Sequence, residues 1–232
     1  MPSSQEQAAE LDGARIALSG TTLERARLAA RSLYNLLRNP GDTRQVFLLG
    51  LATSRRAFPE LLARICIEEE GARLIHEQPA IDSRSVDYAA LRRLEDGTLG
   101  REYVRFIDDH NLDPDLFQRP PGIPEIPGYV SQRLRQVHDV WHVLTGIRPD
   151  VPGEVALQAF TYAQTGAPLS LLIALFGSLR FSLAHPGIAG GAIAGYRRGK
   201  RAAFLPVVRV EDLWAIPLTE VRARLRIVAE TN

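Results

Sequence analysis

Apolar residues recur at spacings of three and four near the start of the chain. Leu23, Ala26, Ala29, Ala30, Leu33, Leu36 and Leu37 form one such series, which predicts a helix from Thr22 with Thr21 or Thr22 as its cap and Pro40-Gly41 as its stop. A second helix is expected over Thr43–Ser54. A third begins with Pro59 at its first position and carries Leu61, Leu62, Ile65 and Cys66. Two shorter helices fall between Asp87 and Asn111, separated by Asp96-Gly97. No stretch sustains an apolar-polar alternation, so strands are a minority. Residues 1–20 read as a loose, flexible tail ahead of a domain over 21–232.

Residues 113–128 break the helical pattern. Five of the 15 prolines, Pro114, Pro120, Pro121, Pro124 and Pro127, fall here, and such a segment is not expected to be helical. It reads either as an interdomain linker or as an ordered strap laid over the helical body through Leu116, Phe117 and Ile126. A helix from about Tyr129 to Thr145 follows, ended by Gly146.

The charge pattern then changes. From Val155 through Tyr196, 42 residues, Arg180 is the sole Asp, Glu, Lys or Arg, although the chain average of 24% would place about ten there. Gly166-Ala167-Pro168 and His185-Pro186-Gly187 cut this stretch into pieces too short for the ~20 residues of a membrane span. They read as buried core helices, or as helices that line an apolar tunnel or dip into a membrane surface. Gly187, Gly191 and Gly195 recur every four residues, a spacing that allows close approach to a neighbouring helix or lipid. The run Arg197, Arg198, Lys200 and Arg201 suits a helix C-terminus and equally the anionic headgroups of a membrane surface. No aromatic-interleaved basic face accompanies it, so nucleic acid is not an expected partner.

Composition excludes more than it selects. With 45% hydrophobic residues and a net charge of +1, the 232-residue chain falls outside the disordered and polytopic membrane classes and lacks a global field for nucleic acid. The single Cys66 rules out an internal disulfide or a cysteine-clustered metal site, and a buried, inert thiol is expected. The N-terminus lacks a basic region followed by an apolar run, which predicts a cytoplasmic, bacterial protein. Apolar helices exposed on such a chain would allow a homodimer.

Candidate chemistry sits on the helix after the strap. His138 and His142 are four apart, so both imidazoles leave one face and can share a cation. Asp139 could orient an imidazole, ligate the ion or take a proton. Glu154 lies 12 positions after His142, beyond the turn, where a helix folding back would bring it over the pair; as a first-turn acid it also suits the helix dipole. Two histidines with one or two carboxylates fit zinc with an open position and equally the ligation of non-haem iron. Arg135 precedes His138 by one turn and is a candidate clamp for a substrate carboxylate, or a helix-face ion pair with Asp139. Arg133 is expected to be solvated. Tyr129 and Trp141 could stack on an aromatic ring or serve the core. A phosphohydrolase of the HD type would need further ligands, for which His76, His110 and Asp212 are the available residues.

The run His138-Asp139-Val140-Trp141-His142, with Val143-Leu144-Thr145-Gly146 and then Gly153-Glu154, resembles the HDxxH-x11-E signature of the Coq4 family of ubiquinone-biosynthesis proteins. Leu37-Arg38-Asn39-Pro40, Gly97 through Tyr103, Phe160 through Gly166, Leu175-Phe176-Gly177, Arg197-Arg198-Gly199 and Pro217-Leu218 resemble family blocks in the same order. Arg209-Val210-Glu211 departs from the pattern, which tends to show an aromatic beside the glutamate. The resemblance implies an all-α fold in a single helical domain, with the proline-rich strap and an apolar prenyl-binding tunnel. It implies a divalent metal, zinc or iron, at His138, Asp139, His142 and Glu154. It further implies a polyprenylated aromatic lipid beside the metal, lined by residues such as Phe160, Leu172 and Phe176. The implied function is ubiquinone biosynthesis at the inner face of the cytoplasmic membrane with other enzymes of that pathway, through oxidative decarboxylation at C1 of a polyprenylated 4-hydroxybenzoate-type ring or as a non-enzymatic organiser.

Overall fold

The computed structural model describes residues 13, 15–16, 19–39, 43–116, 119 and 123–229. Within the expected tail over 1–20, Gly13, Arg15, Ile16 and Ser19 are helical and Gly20 is not; its other residues lie outside the described residues, as do Pro40, Gly41, Phe117, Pro120 and Pro121. Among the described residues the chain is all-α, with one isolated bridge, Thr98 to Pro217, in place of any strand. The helices are α1 (Thr22–Arg38), α2 (Thr43–Thr53), α3 (Ala57–Ile67), α4 (Glu69–Glu77), α5 (Tyr88–Arg92), α6 (Leu99–Asp109), α7 (Glu125–Thr145), α8 (Val151–Thr165), α9 (Pro168–Phe181), α10 (Ile188–Arg201) and α11 (Leu218–Arg224). Single 3₁₀ turns cover Leu205–Val207 and Val210–Leu213.

Local chemistry accounts for most boundaries. Thr21 caps α1 in a capping box with Glu24, each side chain satisfying an otherwise orphaned backbone N–H. Three details differ from expectation. Pro59 occupies the third position of α3, not the first. α7 begins at Glu125, so the last turn of the proline-rich segment is helical: Pro127 is third in that helix, where a backbone N–H has no intrahelical acceptor to lose. Cys66 is exposed, because α3 turns Leu61 and Ile65 inward.

The core forms around the middle and end of α7. Val137, Val140, Trp141 and Leu144 pack against Leu99, Tyr103, Val104 and Ile107 of α6, Leu157 and Phe160 of α8, and Leu205, Val210 and Val221 of the C-terminal segment. Trp141 meets Phe160 edge to face at 5.9 Å; burying each such side chain contributes roughly 1.5–3 kcal/mol. A smaller cluster joins Leu61, Ile65 and Leu74 of α3 and α4 to Tyr129 and Val130 at the start of α7.

α10 lies against α8 along the charge-poor stretch. A Cβ on Gly195 would overlap the Ala156 carbonyl oxygen, and one on Gly199 would sit 2.7 Å from the Phe160 carbonyl oxygen. The close approach therefore uses Gly195 and Gly199; the space beside Gly187 and Gly191 is open. α9 packs less completely: Leu175, Phe176 and Leu179 are exposed, as are Leu183 beyond its end and Ile193 and Tyr196 on α10.

Arg133 is the clearest departure. It is 2% exposed, and its guanidinium grips Glu211 through two hydrogen bonds of 2.5 and 2.8 Å. The glutamate of Arg209-Val210-Glu211 is thus the counter-ion that lets an arginine face the interior, while Arg209 pairs with Glu77 and Asp212.

Candidate metal centre

The turn between α7 and α8 sets the site. Gly146 ends α7 in the left-handed conformation, φ 70°, with its N–H donating to the His142 carbonyl at 2.9 Å. Asp150 then caps α8 by accepting from the Gly153 N–H, and Pro152 occupies the first turn, where no N–H is needed. Gly153 is required by crowding, since a Cβ there would overlap the Arg148 carbonyl oxygen. This short reversal brings Glu154 back over the histidine pair.

Glu154 Oε1 lies 3.0 Å from His142 Nε2, and its Oε2 lies 3.3 Å from His138 Nε2. One donor atom from each of the three residues falls within 4.8 Å of the others. The two imidazoles meet edge to face with centroids 5.0 Å apart. His142 is buried, His138 half-buried, and the Glu154 side chain is 43% exposed, so the cluster has a closed floor and an open mouth.

The tautomer of His142 is set by its other nitrogen. Nδ1 is 2.9 Å from the Ile147 carbonyl oxygen, which can only accept, so Nδ1 carries a proton. Nε2 then has its lone pair free for a metal, the outer-sphere arrangement found around metal-ligating histidines. Without a cation, a second proton is needed between Nε2 and the carboxylate. Two imidazoles and a carboxylate around an open side therefore suit a divalent metal, zinc or iron.

Electrostatics follow from the same contacts. Burial alone would raise the Glu154 pKa, but the hydrogen bonds from His138 and His142 outweigh it and hold the carboxylate well below its usual range. Burial would lower His138, and Glu154 more than reverses this, so His138 titrates above its ordinary value. Burial dominates at Asp139 and raises its pKa against the opposing fields of His138 and His142. Asp139 stands beside the convergent set of three without belonging to it.

A match to the family described as coenzyme Q (ubiquinone) biosynthesis protein Coq4 extends over residues 15–230. The chain belongs to the Coq4 family. The ubiquinone biosynthesis protein COQ4 homolog, mitochondrial, of Danio rerio is 35% identical over 210 residues, covering 89% of this chain and 78% of the relative. Its Homo sapiens counterpart is 32% identical over 215 residues, covering 91% and 81%. A crystal structure of a protein from Nostoc punctiforme ascribed to ubiquinone biosynthesis superposes with a TM-score of 0.71 at 25% identity, over 86% of this chain and 97% of that one. Coq4 proteins take part in ubiquinone biosynthesis, and the pathway assignment rests on these matches together.

The other Coq4 candidates are scattered. Arg135 lies half-buried one turn before His138, with its Nε donating to the Ser131 carbonyl. Tyr129 and Trp141 are buried in the two cores, Tyr129 donating its hydroxyl to the Pro79 carbonyl at 3.1 Å. Phe160 is fully buried behind Trp141, whereas Leu172 is half-buried and Phe176 exposed on α9. Arg197, Lys200 and Arg201 are exposed at the end of α10, and Arg198 is half-buried. No described helix is long and apolar enough to cross a membrane. Asp212 bonds Arg209 and stands outside the cluster, which leaves the phosphohydrolase arrangement without its downstream acid. Sequence reasoning missed Phe106, which stacks on His142 at 5.4 Å and lies tilted against His110 at 4.6 Å; an aromatic on an amphipathic helix carries no local signal of that role.

Proposed function

We propose that this Coq4 protein catalyses oxidative decarboxylation at C1 of a polyprenylated 4-hydroxybenzoate-type ring, with a divalent metal held by His138, His142 and Glu154. In net terms the ring acid, dioxygen, two electrons from an external donor and two protons yield the C1 phenol, carbon dioxide and water. The observation that carries the reading is the convergence of two imidazole nitrogens and one carboxylate on an open-mouthed site, with His142 turned by Ile147 to present Nε2. When bound, the ion supplies Lewis-acid chemistry and, as iron, redox chemistry as well.

The chain's own residues have separate tasks. Arg135 receives the ring carboxylate bidentately and sets the ring's orientation. Asp139 handles the proton at the head group. Phe106 closes one wall against water. The prenyl tail runs toward the apolar face of α9 and α10, where Leu172, Phe176 and Leu179 lie, and Arg197, Lys200 and Arg201 meet anionic headgroups at the inner face of the cytoplasmic membrane. The exposed apolar side chains of α9 favour a second reading, a lipid- and metal-binding organiser that presents the intermediate to other ubiquinone-biosynthesis enzymes or to a second copy of the chain.

The test is turnover of a prenylated 4-hydroxybenzoate by purified, metal-loaded protein beside Asp139→Asn. The catalytic reading predicts carbon dioxide release that falls at least 100-fold in the variant. Equal, negligible release by both, with metal and lipid still bound, would leave the organiser.

A further inference from the structure

A cleft of about 530 Å³, open to solvent, is lined by Arg25, Arg55 and Arg56 and shares no residue with the metal-ligating set. Its volume falls within the roughly 300–1,000 Å³ of small-molecule sites. Arg25 is 7% exposed, and its guanidinium meets only neutral acceptors, donating to the Gly20 carbonyl at 2.9 Å and to Thr22 Oγ1 at 3.5 Å. Among the described residues no carboxylate forms an ion pair with it or with the exposed Arg55 and Arg56. Arg133, buried to a similar degree, has Glu211 as its counter-ion. A buried cation without one is costly, and the cleft gives an anion access to supply the missing charge.

The backbone adds to the same field. Thr22, Ala57 and Pro168 are the first residues of α1, α3 and α9, and all three line the cleft, so three helix N-termini meet there. Arg56 and Ala167, at the caps of α3 and α9, offer no side-chain acceptor to the first turn. Each N-terminus carries roughly half a positive elementary charge and favours an anion. Opposing them are the exposed Glu60 and the end of α2 at Thr53, whose hydroxyl is committed to the Leu49 carbonyl. Three guanidiniums and three helix starts outweigh one carboxylate and one helix end.

The surplus selects among anions. A carboxylate would cancel a single charge, whereas a phosphate monoester carries about −1.5 to −2 and has oxygens for several guanidinium forks. We propose that this cleft binds a phosphate monoester, carried by a soluble molecule or by a lipid, through Arg25, Arg55 and Arg56 over the N-termini of α1, α3 and α9. A lipid source fits because α9, which starts in the cleft, carries the exposed Leu175, Phe176 and Leu179. The site is separate from the metal centre, and its failure would leave the decarboxylation reading untouched.

The test uses the purified full chain, Arg55→Gln/Arg56→Gln and Arg25→Gln. Glycerol 3-phosphate binding is measured by calorimetry and by the shift in Tm against chloride of equal ionic strength, and flotation compares phosphatidylcholine vesicles with and without phosphatidic acid. The wild type should bind glycerol 3-phosphate saturably and gain Tm, and each variant should lose about tenfold or more in affinity. Arg55 and Arg56 are exposed, so the double variant should keep its Tm in chloride and still decide the matter if Arg25→Gln fails to fold. Loss of both glycerol 3-phosphate and phosphatidic acid vesicles in the double variant assigns the site to a lipid headgroup; loss of glycerol 3-phosphate alone assigns it to a soluble monoester. No saturable binding by the wild type, whatever the vesicles do, overturns the proposal. Equal affinity in the wild type and the double variant would place the phosphate elsewhere, at the metal centre for example, and overturn it too. Unchanged affinity in a folded Arg25→Gln would remove the buried arginine from the site with the same result.

Discussion

α8 and α9 follow one another and are almost free of charge, yet one is core and the other is surface. On α8, Leu157 and Phe160 are fully buried, whereas Leu179 on α9 is 74% exposed and Leu183 just beyond it 97%. α8 has partners on both sides, with α7 supplying Trp141 and α10 approaching to backbone distance at Gly195. α9 is apolar around most of its circumference, and the described residues cover only part of it. A missing charge reports an apolar neighbour; it does not say whether that neighbour is the protein itself or a lipid, and the prenylated substrate proposed above would give α9 a reason to stay uncovered.

Substitutions on the two helices should separate these cases most strongly. Leu157→Asp buries an uncompensated carboxylate and should cost at least about 4 kcal/mol, enough to abolish a cooperative melt. Leu179→Asp should change stability by less than about 0.5 kcal/mol and shift its effect to binding of anionic vesicles, measured by flotation. A large drop in Tm for Leu179→Asp would erase the distinction.

Glycines on α10 give a finer probe. Gly195→Ala forces a methyl onto the Ala156 carbonyl and should cost about 1–3 kcal/mol, or several degrees in Tm, whereas Gly191→Ala adds a methyl to open space and should be neutral or stabilise by up to about 1 kcal/mol. Thermal melts of the pair check whether the α8 side alone is close-packed.

These contrasts also show what could be read along the chain and what could not. The α1 series with its Thr21 cap is a local property, and so is the path from His138 to Glu154, because a glycine stop and an aspartate cap 4 residues apart dictate the reversal. Arg133 was illegible for the opposite reason. Its partner Glu211 is 78 positions away and meets it only when the C-terminal segment folds onto α7; such a pair looks like two solvated charges until the fold exists. Pro127 reads as a helix breaker unless its place in a first turn is known. α4 was missed because only Gly71 and Leu74 turn inward, too short a series to signal a helix. The charge-free stretch announced apolar surroundings and left their nature open.

The smallest effect expected is in pH dependence. In metal-stripped protein Glu154 raises the His138 pKa and is itself depressed. The raised histidine contributes stability that is full below its unfolded value and lost as pH rises through the folded one. The depressed carboxylate contributes stability above its unfolded value that is lost as pH falls through its folded one. The metal-free Tm should therefore be highest between about pH 4.5 and 6.5 and decline on either side, a profile that Glu154→Gln should flatten. Metal competes with the proton at Nε2, so affinity should rise with pH over the range in which His138 gives up that proton.

The most direct test of the site is elemental analysis of the purified protein beside His142→Ala of verified fold. The wild type should hold about one equivalent of zinc or iron, lost in the variant and regained by neither dialysis nor reconstitution. Equal metal content in the two proteins, or none in the wild type even after reconstitution, would contradict a metal centre at His138, His142 and Glu154.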